Sequence, residues 1–172
     1  MLMNEKEKFY SLYPEMDYDS LFEKVKTDKD FVIAEHRKMW NAIADYSEKC
    51  GRCLGKYEYL AFYCKDLVVM LTNGCFLCTY ALHNRGNKSM CEHCLLRWPM
   101  DTDGLKKKPY VSGSDFLGGP SCCDFSDLRR PAIGLYRSLC LARDEGDALK
   151  YARYARIIAN LQINEEVYND EI

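Results

Sequence analysis

Apolar side chains recur along the first half of the chain with the spacing of α-helices. One stripe runs to residue 50 and begins after Thr27 or Asp28, which are favourable N-cap residues. Gly51 is expected to end this helix in the left-handed conformation. The predicted stripe consists of Phe31, Ala34, Trp40, Ile43 and Ala44.

A second helix is predicted from about Lys56 to Thr72, with Asn73-Gly74 as its end. Apolar residues at i, i+3 and i+4 define one buried face of this helix. Cys64 lies on that face, which favours a small core residue over a ligand. The face comprises Leu60, Tyr63, Cys64, Leu67, Val68 and Leu71.

The C-terminal part has the pattern of a helical hairpin. Pro131 suits the first turn of a helix that reaches about Ala142, and a turn at residues 144–147 leads into a second helix that ends near Leu161. The acidic tail at residues 164–172 is expected to fray. The predicted apolar face of the last helix carries Leu149, Ala152, Ala155 and Ile158.

Two Cys-x-x-Cys pairs, Cys75–Cys78 and Cys91–Cys94, follow the second helix and are separated by twelve residues. Four thiolates form the soft tetrahedral ligand set that Zn²⁺ prefers. A chain with ten cysteines and no secretion signal more often uses such pairs for metal than for disulfides. The spacing predicts a structural zinc site. The alternatives are reduced thiols, a redox pair, or a histidine (His83 or His93) in place of one cysteine.

Further cysteines are candidates for a second zinc site. The pair Cys50–Cys53 precedes the central four, and Cys122–Cys123 follows a glycine-rich stretch. Alternatively, one of the latter two replaces a member of the central four, or all of them are partly buried thiols. Cys140 lies within a predicted helix and is expected in the core.

The cysteine arrangement favours a non-enzymatic role. Catalytic zinc keeps a position open for water, and four cysteines leave none. The zinc deaminase pattern is missing from the sequence, since Met90 stands where proline would precede Cys91. The twelve residues between the pairs are too few for the ββα element of an HNH nuclease. A redox pair at Cys50–Cys53, assisted by Arg52, lacks a surrounding βαβ pattern.

Charge and hydropathy bear on the class of partner and on the cellular location of the protein. A net charge of -2 favours neither a generic polyanion binder nor a DNA mimic. The acidic residues near the start are unlike a secretory signal. The most apolar stretch, residues 67–82, is shorter than the roughly 20 residues that cross a bilayer. A soluble cytoplasmic protein without membrane association is expected.

Two kinds of side chain are candidate contacts to a partner. Basic residues near the cysteines and in the last helix could bind the phosphates of a nucleic acid. However, Asp147 lies near the basic residues of the last helix, which favours a solvated surface there. Aromatic residues suit a protein interface, or else cover the zinc site and the hairpin. The basic clusters are Arg85, Lys88 and Arg97; Lys106, Lys107 and Lys108; and Arg129 and Arg130 with Lys150, Arg153 and Arg156. The aromatic candidates are Tyr151, Tyr154 and Trp98.

The order of these features resembles small cysteine-rich proteins of bacteriophages and prophages. The resemblance covers roughly residues 73–161 and is carried by residues 73–81, by Cys91-Glu92-His93-Cys94 with Trp98, and by Cys122 and the hairpin around Tyr136. It implies a cytoplasmic, zinc-stabilised accessory protein that acts on a host complex. It implies no activity and assigns no functional residue.

The predicted fold is therefore mainly α, a single helical domain with a zinc-knuckle insert and a C-terminal helical hairpin. The favoured function is non-enzymatic binding of a protein partner, with Zn²⁺ as the stabilising ion. A nucleic-acid-binding zinc protein and a thiol-dependent or other enzyme are the alternatives. The predicted segments are an N-terminal arm (1–27) with a short helix, a helical pair (28–72), zinc knuckles (73–98), a surface loop (99–121), and the hairpin with its tail (122–172).

Overall fold

The computed structural model describes residues 12–63, 65–87, 93–97 and 135–170. In these ranges 72% of residues are helical, which confirms the mainly α class. An isolated antiparallel bridge joins Leu96 and Ile163, and the described ranges contain no strand. The helices are α1 (Tyr18–Thr27), α2 (Lys29–Cys50), α3 (Lys56–Tyr63), α4 (Lys65–Met70), α5 (Phe76–Asn84), α6 (Leu135–Asp144), α7 (Ala148–Ala159) and α8 (Glu165–Tyr168).

Helix α2 is the longest element and has the predicted ends. The Asp28 carboxylate accepts a hydrogen bond from the Phe31 amide at 2.9 Å, and Gly51 ends the helix with φ of 62°. The predicted apolar stripe was partly wrong, because Ala34 is exposed and Phe31 only half-buried. The buried face consists of Val32, Ile33, His36, Met39, Trp40, Ile43, Ala44 and Ser47.

The core forms where α2 packs against α7, which in turn packs against α6. Ala152 and Ala155 are fully buried, and their small side chains allow close approach of the two helix backbones. Leu149 is 70% exposed, so its predicted place on the buried face is wrong. Tyr151 is buried in this helix, and its hydroxyl donates to the Leu54 carbonyl at 2.7 Å.

Helix α1 packs against α2 and α5 through Leu21 and Val25, which are fully buried. This agrees with the short helix predicted within the N-terminal arm. The Asn84 side chain, at the end of α5, donates to the Lys26 carbonyl at 2.7 Å and ties the two helices together.

The helix predicted over residues 56–72 is described as α3 and α4, on either side of residue 64, which lies outside the described residues. The helical conformation ends at Met70, before the predicted end. A 3₁₀ turn, Thr72–Gly74, then leads into α5. Leu60, Leu67 and Leu71 are buried as predicted.

The chain between residues 164 and 170 is not frayed as expected. Helix α8 buries Val167, and the Tyr168 hydroxyl donates to Asp30 at 2.6 Å. Lys29 contacts both the carbonyl and the ring of Tyr168. The tail is therefore attached to the first turn of α2.

Several predicted features lie outside the described residues. They are Cys64, Cys91, Trp98, the loop at 99–121, Cys122, Cys123 and Pro131. None of the helices in the described ranges combines the length and apolar character needed to span a bilayer.

Candidate metal centre

Cys75 stands at the N-terminus of α5, where its sulfur acts as the helix cap. The Cys78 amide donates to the Cys75 sulfur at 3.3 Å. Cys78 lies in the first turn of the same helix, and both side chains are half-buried. Backbone N–H groups and the partial positive charge at a helix N-terminus stabilise thiolate, the form of cysteine that binds metal.

Thr79 fixes the orientation of the turn that carries Cys75. Its hydroxyl donates to the Cys75 carbonyl and accepts from the Thr72 amide, both at 2.9 Å. Thr79 is 1% exposed, so neither bond faces water competition.

The turn before Cys75 has two residues in the left-handed region, Asn73 (φ 56°) and Gly74 (φ 58°). A Cβ at position 74 would lie 2.8 Å from Cε1 of Tyr57. Glycine is therefore required there for two reasons, its φ and the aromatic ring lying against it. The backbone of this turn can lie close to Tyr57 of α3 only because residue 74 has no side chain.

Cys94 reaches the same region from a distant part of the chain. It is 6% exposed and belongs to the segment 93–97. The C-terminal chain holds this segment, because the Asn164 amide donates to the Leu95 carbonyl at 2.9 Å and the Arg97 amide donates to the Gln162 carbonyl at 2.8 Å. The side-chain amide of Asn164 also reaches the Cys94 carbonyl at 3.3 Å.

Three of the four predicted central ligands, Cys75, Cys78 and Cys94, line one cavity. Trp40 and Tyr136 form part of its wall, with their rings edge to face at 6.1 Å. Within the described part of the chain, no three histidine, cysteine or acidic side chains are grouped closely enough to hold a metal ion. Cys91 lies outside that part, so the fourth predicted ligand has no described position.

The three histidines occupy different environments. His83 is exposed near the far end of α5, where its ring packs edge to face on Phe22 at 5.7 Å. His93 is buried and its ring stacks on that of Tyr80 at 6.5 Å. His36, on α2, lines the cavity together with the three cysteines. The sequence analysis named His83 and His93 as alternative ligands and did not single out His36 as a residue that lines the cavity.

His36 could have been found from the helical period. It follows Val32 by four residues and precedes Met39 and Trp40 by three and four, so it falls on the buried stripe of α2. A histidine on an otherwise apolar stripe is a buried polar group that needs a partner.

The candidate second site is described only at its first pair. Cys50 is exposed at the last residue of α2, and Cys53 is half-buried in the following turn. Burial raises the pKa of the Cys53 thiol, an effect partly opposed by Arg143. A raised pKa favours the unreactive thiol over thiolate at pH 7, which weakens the case for a redox pair at this position.

Cys140 is a core residue as predicted, since it is 3% exposed and burial raises the pKa of its thiol. Tyr151, predicted as an interface candidate, is 1% exposed and therefore belongs to the core. Tyr154 is half-buried.

Cations of the last predicted basic cluster pair with acidic residues of the same chain. Lys150 donates to Glu145 at 2.9 Å. Arg156 binds Asp45 and Glu48 on α2, with the Glu48 contact at 2.8 Å. These ion pairs satisfy two of the cations predicted to meet phosphates.

No family model matches the chain, and neither a curated protein nor a solved structure matches it.

Proposed function

We propose that the chain is a zinc-stabilised, non-enzymatic protein that binds another protein, in keeping with its resemblance to phage accessory proteins that act on host complexes. The zinc would be held at the cavity lined by Cys75, Cys78 and Cys94, with Cys91 as the fourth predicted ligand. The observation that carries this proposal is that Cys94 lines the same cavity as Cys75 and Cys78 of the preceding pair.

The donor chemistry of this cavity fits zinc. Thiolate sulfur is the ligand that structural zinc prefers, and Cys75 and Cys78 lie where a helix N-terminus stabilises thiolate. The side chains would move together across the cavity when the ion binds, so that binding adds to folding free energy. A bound ion would join α5 to the segment 93–97, and through Asn164 to the C-terminal chain.

Exposed apolar side chains support a protein partner. Phe62 on α3 is 71% exposed, and Val69 on the adjacent α4 is 83% exposed. Exposed apolar side chains add contact area when a protein partner covers them. The pairing of Lys150 and Arg156 with acidic residues makes α7 a weaker candidate for nucleic acid.

The zinc part is tested by metal analysis of the purified full-length chain. We expect zinc to co-purify, and Cys75→Ser with Cys91→Ser to lose it and to unfold at least the segment around the pairs. A double variant that stays fully folded without metal would contradict the structural role of zinc.

The binding part is tested by capture of partners from host lysate on the zinc-loaded chain, with and without nuclease. We expect a nuclease-resistant protein partner that is lost with Val69→Glu and retained with Leu149→Glu, a matched change at a 70% exposed position on α7. Partners that disappear with nuclease would instead favour the nucleic-acid-binding alternative.

A further inference from the structure

Cys75 and Cys78 are brought together by the first turn of α5. The Cys75 sulfur lies 3.3 Å from the backbone nitrogen of Cys78, so it is already beside the residue that carries the second sulfur. The two residues lie close together, as a disulfide bond between them requires. Both are half-buried and therefore in part accessible to solvent. The pair thus has the placement of a thiol–disulfide couple.

The backbone that carries the pair is already ordered. The Thr79 hydroxyl donates to the Cys75 carbonyl and accepts the Thr72 amide, and Thr79 is 1% exposed. The turn before Cys75 lies against the Tyr57 ring at Gly74. Because few backbone torsions remain to be fixed, joining the two sulfurs costs little conformational entropy.

The helix end also decides which sulfur reacts first. Thiolate is the form of cysteine that attacks a disulfide, and backbone N–H groups at a helix N-terminus stabilise it. The Cys75 sulfur accepts such an N–H, whereas Cys94, which lines the same cavity, is 6% exposed and less accessible. Cys75 is therefore the attacking sulfur, and Cys78 is the sulfur that closes the bond.

The wall of the same cavity holds a hydrogen-bond acceptor for an incoming molecule. His36 is 1% exposed, and its Nε2 lies 3.3 Å from the Ile158 carbonyl oxygen, so Nε2 carries the proton and Nδ1 a lone pair in the neutral ring. Within the described part of the chain, Nδ1 has no hydrogen-bond partner. A molecule that brings an N–H group satisfies such an acceptor, and glutathione contains peptide N–H groups.

We infer that Cys75 and Cys78 form a reversible thiol–disulfide pair, which small disulfides of the glutathione class oxidise, and that this oxidation releases the metal of the cavity. The release rests on the zinc site proposed above, whereas the disulfide chemistry does not. A disulfide removes two of the four ligands that structural zinc needs. Because the helix N-terminus stabilises the reduced pair, excess thiol reverses the oxidation.

The electrons balance between the pair and the small disulfide. The Cys75 thiolate bonds to one sulfur of the small disulfide, and the other sulfur leaves as a thiolate that takes the proton of the Cys78 thiol. Cys78 then bonds to the Cys75 sulfur and displaces the second small thiolate. Two electrons have passed from the protein to the small disulfide, which is reduced to two small thiols.

The test is oxidation of the zinc-loaded full-length chain by glutathione disulfide, followed by blocking of free thiols, trypsin digestion and mass spectrometry. The tryptic peptide from Asp66 to Arg85 contains Cys75, Cys78 and no other cysteine. We expect this peptide to lose two hydrogens, with one zinc released to a chromogenic chelator for each disulfide formed. Excess glutathione should reverse the loss. Cys50–Cys53, at the C-terminal end of α2, is the matched control and should stay reduced in the same sample.

Two single variants test the order of attack. Cys78→Ser should trap glutathione on Cys75 as a mixed disulfide, because the closing sulfur is gone. Cys75→Ser keeps a favourable N-cap and should leave Cys78 largely unmodified. Equal trapping in both variants would contradict the assigned order. Should either variant fail to fold, the peptide mapping of the parent chain decides whether the pair exists.

The outcomes separate this inference from the proposed function. A bond from Cys75 to Cys91 or Cys94, or equal oxidation of Cys50–Cys53, would overturn the inference. A Cys75–Cys78 disulfide in a chain that holds no zinc would overturn the zinc site and leave the pair intact. A disulfide that forms while zinc stays bound would overturn the release and remove both cysteines from the zinc ligands.

Discussion

Two of the three Cys-x-x-Cys pairs in this chain, Cys50–Cys53 and Cys75–Cys78, lie at opposite ends of helices. Cys75–Cys78 opens α5, and the Cys75 sulfur accepts the Cys78 amide. Cys50 is the last residue of α2, and Gly51 after it has the left-handed conformation that ends the helix. A helix N-terminus carries partial positive charge and a C-terminus partial negative charge, so only the first position favours thiolate.

The surroundings of the two pairs also favour thiolate at Cys75–Cys78 over Cys50–Cys53. Cys75 and Cys78 share a cavity with Cys94, a third sulfur from a distant part of the chain. Cys50 is exposed, and burial raises the pKa of Cys53. Identical spacing therefore defines two different sites, and the helix end at which a pair lies is the better guide to its chemistry.

The largest expected effect is a difference in metal-dependent stability between the pairs. Binding adds about 4 kcal/mol to the free energy of unfolding when free zinc is a thousandfold above its Kd. We expect Cys75→Ser with Cys78→Ser to lose that increment, and Cys50→Ser with Cys53→Ser to cost below about 1 kcal/mol. Urea denaturation with zinc and with a chelator measures both. An equal loss for both double variants would remove the distinction between the pairs.

The ends of α2 and the cysteine spacing were readable from the sequence because they depend on local residues. Asp28 and Gly51 act on their immediate neighbours, and the N-cap and left-handed end follow from their side chains alone. The spacing of Cys75 and Cys78 likewise sits within one helical turn.

The cavity and the tail were not readable, because both depend on contacts between distant residues. Periodicity places His36 on a buried stripe but does not say that Cys94 lies across from that stripe. The acidic composition of the tail predicted fraying, yet burial of Val167 and the bond from Tyr168 to Asp30 attach it to α2. The contacts of Val167 and Tyr168 thus order a segment whose acidic composition alone favours fraying.

The next effect concerns the glycines beside the two pairs. Gly51 and Gly74 have similar φ values, 62° and 58°, but only a Cβ at Gly74 meets an obstacle, Tyr57 at 2.8 Å. We expect Gly51→Ala to cost about 1 kcal/mol from its φ and Gly74→Ala about 1–3 kcal/mol more from the clash. Urea denaturation gives both values.

A double variant tests the cause assigned to Gly74. Replacing Tyr57 by alanine removes the ring, so Gly74→Ala in that background should cost no more than Gly51→Ala does. Zinc affinity should fall for Gly74→Ala, because Gly74 directly precedes Cys75. It should stay unchanged for Gly51→Ala. A full cost that persists without the Tyr57 ring would contradict the clash.

A smaller effect is expected at the end of α2 that carries Cys50. The hydrogen bond from Arg156 lowers the pKa of Asp45 below its ordinary value. The pair therefore adds stability above the unfolded pKa of about 3.9, and this contribution is lost as pH falls through the lower folded value. Both side chains are more than a third exposed, so we expect Asp45→Asn to cost below about 1 kcal/mol at pH 7.

Chemical denaturation of Asp45→Asn and the parent over pH 2–7 measures this contribution, and the two curves should converge at the acidic end. High salt should reduce the difference at pH 7. Zinc affinity should not change, because Asp45, a described residue, is not among the residues that line the cavity. A gap that grows toward acid would show that the sign of the Asp45 contribution is wrong.

The smallest effect is expected where the tail meets α2. The hydrogen bond from Tyr168 to Asp30 raises the pKa of the Tyr168 hydroxyl. Its contribution is complete below the unfolded tyrosine pKa of about 10 and is lost as pH rises through the higher folded value. We expect Tyr168→Phe to speed amide hydrogen exchange at Val167 and Asn169 near neutral pH, with Tyr18→Phe, at an exposed tyrosine, as the control.

The exchange measurement also tests how the tail serves the cavity. Asn164 bonds to Leu95 and Cys94 immediately before α8, so looser attachment of Tyr168 should be felt at the Asn164 amide as well. Faster exchange at Asn164 in Tyr168→Phe would show that α8 helps to hold Cys94 at the site. Faster exchange confined to α8 would instead mean that the bonds of Asn164 hold the segment 93–97 without the tail, because the bridge between Leu96 and Ile163 then suffices.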